Sequence, residues 1–195
     1  MRIVLLGPPS VGKELQARRI SERFGIPHLS TDDMLRSAVQ SRTSVGPRAR
    51  QIMTDGGMVP DGFVVVAVID RIGRADAKRG FVLDGFPRTI AQAMAFDDVL
   101  RRNALELDRV IELRADDDIL LERIEKQHAR EADTSSDGLR LDDSRETIRG
   151  RLDSYHQQTI PLVEYYRSKR ILRTVDGLQE VDDVTQDVLR ALGDQ

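Results

Sequence analysis

The chain opens with a short apolar run, Arg2–Leu6, that passes directly into Gly7-Pro8-Pro9-Ser10-Val11-Gly12-Lys13, with a helix-length amphipathic stretch, Lys13–Phe24, starting at once. This G-x-x-x-x-G-K spacing between a strand and a helix constrains the fold more than any other feature. Glycines let the backbone approach an anion closely, and the loop amides converge on its oxygens. The helix N-terminus adds partial positive charge. The segment reads as a phosphate cradle, with Lys13 reaching the β- and γ-phosphates of a nucleotide.

The rest of the chain repeats the alternation. Phe81–Leu83, Arg109–Leu113 and Ile171–Val175 read as buried strands, and Ile26–Leu29 is a weaker one. Between them, Asp116–Gln127 and Val181–Leu192 carry apolar residues at helical spacing. Phe63–Ile69 is β-branched, but Asp61 offers an N-cap and the pattern continues through Ile72, so a helix is expected. Asp142–Lys169 is a long helical pattern with Pro161 inside it, where a kink or break is expected. Arg130–Gly138, rich in Ser, Asp and Gly, reads as a surface loop. Strand–helix alternation of this kind predicts an α/β fold: a parallel sheet of these five strands covered by helices on both faces.

Composition removes several classes. The 195 residues fit one domain, and with no cysteine the chain has no disulfide scaffold, thiolate metal site or cysteine nucleophile. Thirty Lys+Arg against 33 Asp+Glu give a net charge of −3, so no basic excess points to nucleic acid. The longest apolar run, Phe63–Ile69, is far short of a membrane span, and the N-terminal apolar stretch is cut by Gly-Pro-Pro, unlike a secretory signal. The expectation is a cytoplasmic protein without a membrane partner.

A second motif follows the strand at Phe81–Leu83: Asp84-Gly85-Phe86-Pro87-Arg88-Thr89. A carboxylate at the C-terminal end of a parallel strand lies where α/β sheets bind ligands and can hold Mg²⁺, directly or through water. DGFPRT with the phosphate loop upstream resembles the adenylate kinase family. Ser30–Arg36 (STDDMLR) is similar to the family's STGDMLR, and Arg140-Leu141-Asp142-Asp143 with Arg149-Gly150-Arg151 resemble its RxDD and later arginine. The resemblance runs from Met1 to about Leu192.

The resemblance implies a P-loop kinase fold occupying residues 1–195, with an AMP-binding helical insertion at 30–59 and a short lid at 127–139. It implies transfer of the γ-phosphoryl of ATP to AMP, giving two ADP, by a monomer. Mg²⁺ accompanies ATP near Asp84, and a lid without cysteine carries no cysteine-ligated zinc. The acceptor is already an ionised phosphate, so no general base is needed, and His28, His128 and His156 read as surface or packing residues. Catalysis reduces to positioning and charge stabilisation, for which the guanidinium fork is suited. By resemblance, Lys13, Arg88, Arg123, Arg140 and Arg151 are the catalytic cations. ATP falls to Ser10, Val11, Gly12, Lys13, Glu14, Leu15, Arg123, Gln127 and Gln179. AMP falls to Thr31, Arg36, Gly57, Met58, Val59, Gly85, Phe86, Pro87, Arg88, Gln92, Arg140 and Arg151. Thr31 and Gln92 match adenine-contacting positions; the Gln amide offers a donor and an acceptor to the N1/N6 edge, favouring AMP over UMP or CMP.

The sequence departs from the family at particular places. Glu14-Leu15 replace Gly-Thr after the lysine and remove the hydroxyl that would meet Mg²⁺. Ser10 stands where a loop glycine is usual, Asp32 replaces the glycine of STGDMLR, and Gln127 replaces a lid-hinge arginine. The expectation is an active adenylate kinase. The alternatives are another nucleoside-monophosphate kinase, or a nucleotide-binding homologue impaired by Glu14 and Leu15.

Overall fold

The computed structural model describes residues 1–40, 60–134 and 145–193. Five strands form one sheet: β1 (Arg2–Leu6), β2 (His28–Ser30), β3 (Phe81–Asp84), β4 (Arg109–Arg114) and β5 (Leu172–Asp176). Their order is β2-β3-β1-β4-β5, and every pairing is parallel. The chain leaves β1 towards the β2 edge, where α2 (Thr31–Gln40) follows β2, and leaves β4 towards β5. The central strands therefore open a crevice at their C-terminal ends.

The central strands β1 and β3 are apolar on both faces because helices cover both. Along β1, Val4 and Leu6 join Leu29, Leu83 and Val110 on one face, beneath α3 (Asp61–Ile72), α4 (Ile90–Arg102) and α7 (Ile160–Ser168). Ile3 and Leu5 join Val82, Ile111 and Leu113 on the other, beneath α1 (Lys13–Phe24) and α8 (Val181–Leu192). The period-2 alternation of a strand thus divides one pentapeptide between two cores. A third, smaller cluster joins Leu120 and Ile124 of α5 (Asp117–Thr134) to Ile148 and Leu152 of α6 (Arg145–Gln158). Among the described residues no helix is long and apolar enough to cross a membrane.

Local chemistry sets the boundaries. Gly25 ends α1 in the left-handed region at φ 61, where glycine pays no Cβ penalty. The β-branched run at Phe63–Ile69 is helical, as its flanking pattern predicts. Asp61 is not its cap, however: Pro60 occupies that position and Asp61 is the first helical residue, its carboxylate drawn into contacts with α4. The long pattern ahead of Lys169 breaks at Thr159, with Pro161 in the first turn of α7, where a missing N–H costs nothing. The helix expected to end at Gln127 runs on to Thr134, so residues 130–134 of the expected loop continue α5. Asp116 starts that helix, its carboxylate accepting from the Asp118 and Ile119 amides at 3.1 and 3.3 Å.

Candidate active site

The phosphate loop sits at the mouth of the crevice and is fixed from below. Gly7 lies against β4, where an added Cβ would stand 2.6 Å from the Leu113 carbonyl oxygen, so no larger residue fits without moving backbone. Ser10 has φ 62, a left-handed conformation costing an L-residue about 1 kcal/mol, which explains why glycine is usual at this point. Val11 is buried in the core beneath α1 and α8, and Gly12, at φ 96, opens α1.

Lys13 folds back over the loop. Its Nζ donates to the Gly7 and Pro8 carbonyls at 2.9 and 2.7 Å. Burial lowers its pKa to about 8; Asp84 opposes the shift and Arg88 adds to it. The ammonium is thus held where an incoming anion would raise its pKa again. Glu14 turns the other way, paired with Arg18 at 2.5 Å along the exposed side of α1, and Leu15 is 42% exposed. The acidic side chain that replaces the usual residue after Lys13 is therefore directed away from the phosphate loop.

Opposite the loop, β3 ends in Asp84 and hands over to Gly85, which takes φ 80. A Cβ on Gly85 would lie 3.1 Å from the Thr31 hydroxyl, which donates to the Asp84 carbonyl at 2.9 Å. The Phe86–Pro87 peptide is cis, and the Phe86 ring is fully buried, edge-on to Phe96 at 5.3 Å. Arg88 is held at several atoms. Its Nε donates to the Gly85 carbonyl at 2.9 Å, its own carbonyl accepts from the Thr159 hydroxyl at 3.0 Å, and its amide donates to Gln92 Oε1 at 2.7 Å. Its guanidinium also lies 3.5 Å from Asp32, an exposed ion pair.

These elements enclose a cavity of about 740 Å³, lined among others by Gly7, Lys13, Asp32, Gly85, Arg88 and Arg151. Phosphate loop, Asp-Gly turn and α6 thus converge on one space, and three of the sequence-predicted cations line it. Arg123 lies on α5 and does not line it; Gln179 donates to the Asp176 carbonyl and Asp187. Gln92 is buried beside the cavity rather than lining it, at 4% exposure. Gly57, Met58, Val59 and Arg140 lie outside the described residues, and for Arg36 and Gln127 the description extends only to the helices that carry them.

Sequence reasoning missed contacts made across long chain separations: Asp32 on Arg88, Thr159 beneath it, and Asp61 on Gln92 and Thr89. The carboxylate of Asp61 was visible in the sequence, but a helix start accounted for it. A cation has a hard donor here in Asp84, 14% exposed, with the His28 ring nitrogen 3.9 Å from it. Among the described residues no three His, Cys, Asp or Glu side chains converge to hold a metal. That donor set fits Mg²⁺, which dehydrates reluctantly and takes one or two carboxylates with water and substrate phosphates.

Comparison with known proteins gives a consistent neighbourhood. A family model described as Adenylate kinase matches residues 5–171. An Adenylate kinase of Methylobacterium nodulans is 53% identical over 188 residues, covering 96% of this chain and 94% of that protein. One from Nitrobacter winogradskyi is 50% identical over 194 residues, covering 98% and 93%. One from Parvibaculum lavamentivorans is 49% identical over 193 residues, covering 99% and 92%.

Proposed function

The chain belongs to the adenylate kinase family, and from that premise we propose how its own residues carry the reaction ATP + AMP = 2 ADP. It is a phosphotransferase, a nucleoside-monophosphate kinase with a P-loop fold. Relatives near half identity share the name, so UMP or CMP kinases and an impaired homologue are not favoured. The Glu14–Arg18 pair also speaks against impairment, since the carboxylate does not face the phosphates.

The observation that carries the reading is the convergence of Lys13, Arg88 and Arg151 on one cavity between the phosphate loop and the Asp84-Gly85 turn. Lys13 and the loop amides take the ATP phosphates, and the depressed lysine pKa rises again as the anion arrives. Arg88, braced by Gly85 and Thr159, takes the AMP phosphate. Arg151 comes from the opposite wall to the transferring group, joined by Arg123 and Arg140. The clamp neutralises charge spread over the equatorial oxygens, and no side chain has to accept a proton. Members of the family use Mg²⁺ with ATP; Asp84 would hold it through water, and it would supply charge neutralisation for the ATP phosphates.

Residues 30–59 serve as the AMP-side segment and 127–139 as the lid that excludes water during transfer. Thr31 and Gln92 read the adenine. In this reading the protein is a monomer of the cytoplasm. A coupled assay with AMP, UMP, CMP and GMP as acceptors, in Mg²⁺ and ATP, tests it. ADP formation with AMP preferred is expected. A clear preference for UMP or CMP would overturn the acceptor assignment, and nucleotide binding without ADP formation would overturn the enzyme.

A further inference from the structure

We propose that Asp61 is a positioning residue for base selection: it fixes which end of the Gln92 amide is donor and which is acceptor, and so selects 6-aminopurine over 6-oxopurine monophosphates. The proposal rests on the reading of Gln92 as the adenine contact. Ordinarily the two ends of a glutamine amide are interchangeable, and only its partners decide the orientation. Here the partners leave no choice. The Arg88 backbone N–H donates at 2.7 Å and demands an oxygen, and the Asp61 carboxylate accepts at 2.7 Å and demands a nitrogen. The other oxygen of Asp61 accepts from the Thr89 hydroxyl at 2.8 Å, so both ends of the carboxylate are occupied. Thr89 in turn caps α4 by accepting from the Gln92 amide N–H at 3.1 Å, which ties side chain and backbone of Gln92 to one unit.

Among the described residues, each end of the Gln92 amide then keeps one unused function: a lone pair on Oε1 and an N–H on Nε2. A 6-aminopurine presents the complement, an acceptor at N1 and donors at N6. A 6-oxopurine presents the reverse, a donor at N1 and an acceptor at O6. To read a 6-oxopurine in the same seat the amide must turn over. That sets its N–H₂ against the Arg88 N–H and its oxygen against the Asp61 carboxylate. Asp61 touches no substrate in this account. It acts through Gln92, from the start of the helix that follows the AMP-side segment.

The test compares kcat and KM for AMP and IMP, with Mg-ATP, in the wild type, Asp61→Asn and Gln92→Leu. An asparagine at 61 can donate as well as accept, which releases the orientation. The expected result for Asp61→Asn is a fall of about tenfold in the AMP/IMP ratio of kcat/KM, expressed in KM. Equal losses for both substrates, leaving the ratio at its wild-type value, would mean a merely structural role and would overturn the proposal. Gln92→Leu separates the two layers. If it leaves AMP KM and the ratio unchanged, the base contact itself fails and this proposal goes with it. If it collapses the ratio while Asp61→Asn does not, only the role of Asp61 fails. A measurement on the wild type covers the case of a variant that does not fold. With AMP bound, the Gln92 side-chain amide should show a proton shifted downfield and slow to exchange by NMR; freely exchanging, undispersed amide protons would overturn the proposal.

Discussion

At Lys13 the fold works against a charge that the chemistry needs. The ammonium titrates at 10.5 in an open chain and at about 8 in the fold, chiefly through burial. Between those values the unfolded chain binds the proton more tightly, so this residue's contribution to stability improves as pH rises through that window. Function runs the other way, because only the charged form neutralises phosphate. ATP affinity should therefore fall as pH rises through about 8, and calorimetry should show proton uptake on binding near that pH. An affinity that stays flat from about pH 7 to about 9.5 would contradict the assignment of Lys13. Asp32 supplies a second residue-scale test. Its carboxylate shares the Arg88 guanidinium that the AMP phosphate would take. The pair is exposed and weak, at most about 1 kcal/mol, so Asp32→Gly should lower KM for AMP by about two- to fivefold. An unchanged or raised KM would show that Asp32 does not compete.

Among the elements, the helices differ in what holds them. The strand–loop–helix unit of β1 and α1 is over-determined: Gly7 against β4, Val11 in the core, Gly12 and Gly25 at the helix ends. The strained Ser10 persists because its neighbours leave no other path. Helix α7 carries a different cost. The Tyr166 ring is fully buried in the larger core, yet among the described residues its hydroxyl has no hydrogen-bond partner, and burial raises its pKa. Removing that oxygen leaves the packing and takes away the unmet polar group. Tyr166→Phe should raise stability by about 1 kcal/mol, read from denaturant midpoints at unchanged slope. A destabilised variant would mean that the hydroxyl has a partner in solution.

For the whole molecule, the sheet order decides which distant residues meet. β3 and β4 flank β1, so the Asp84-Gly85 turn lies beside the phosphate loop, and α6, ending at the break at Thr159, lies over both. Arg88 is the hub of this meeting, tied to Gly85, Gln92 and Thr159 from separate elements. Arg88→Ala should cut kcat/KM by about a thousandfold while the fold survives, since the lost side chain is exposed and acts on the phosphate. Steady-state rates alongside thermal unfolding check this; a near-normal rate would remove Arg88 from the clamp.

Much of this was legible in contiguous residues. The phosphate loop, the strand ending in Asp84, the five-strand parallel sheet and the helical nature of Phe63–Ile69 all follow from spacing, burial pattern and turn chemistry. Those signals are local, because a strand or a helix needs only its own period and its own ends. The direction of Glu14 along α1, the end of α5 at Thr134, the pairing of Asp32 with Arg88 and the orientation of Gln92 by Asp61 were not legible. The long-range contacts join residues dozens of positions apart, and the packing of helices on the sheet sets their distances. The sequence alone determined that this chain builds a nucleotide phosphate site on a parallel sheet. Only the tertiary structure decided which carboxylates face that site and which end of an amide reads the base, because side-chain orientation depends on partners supplied by other elements.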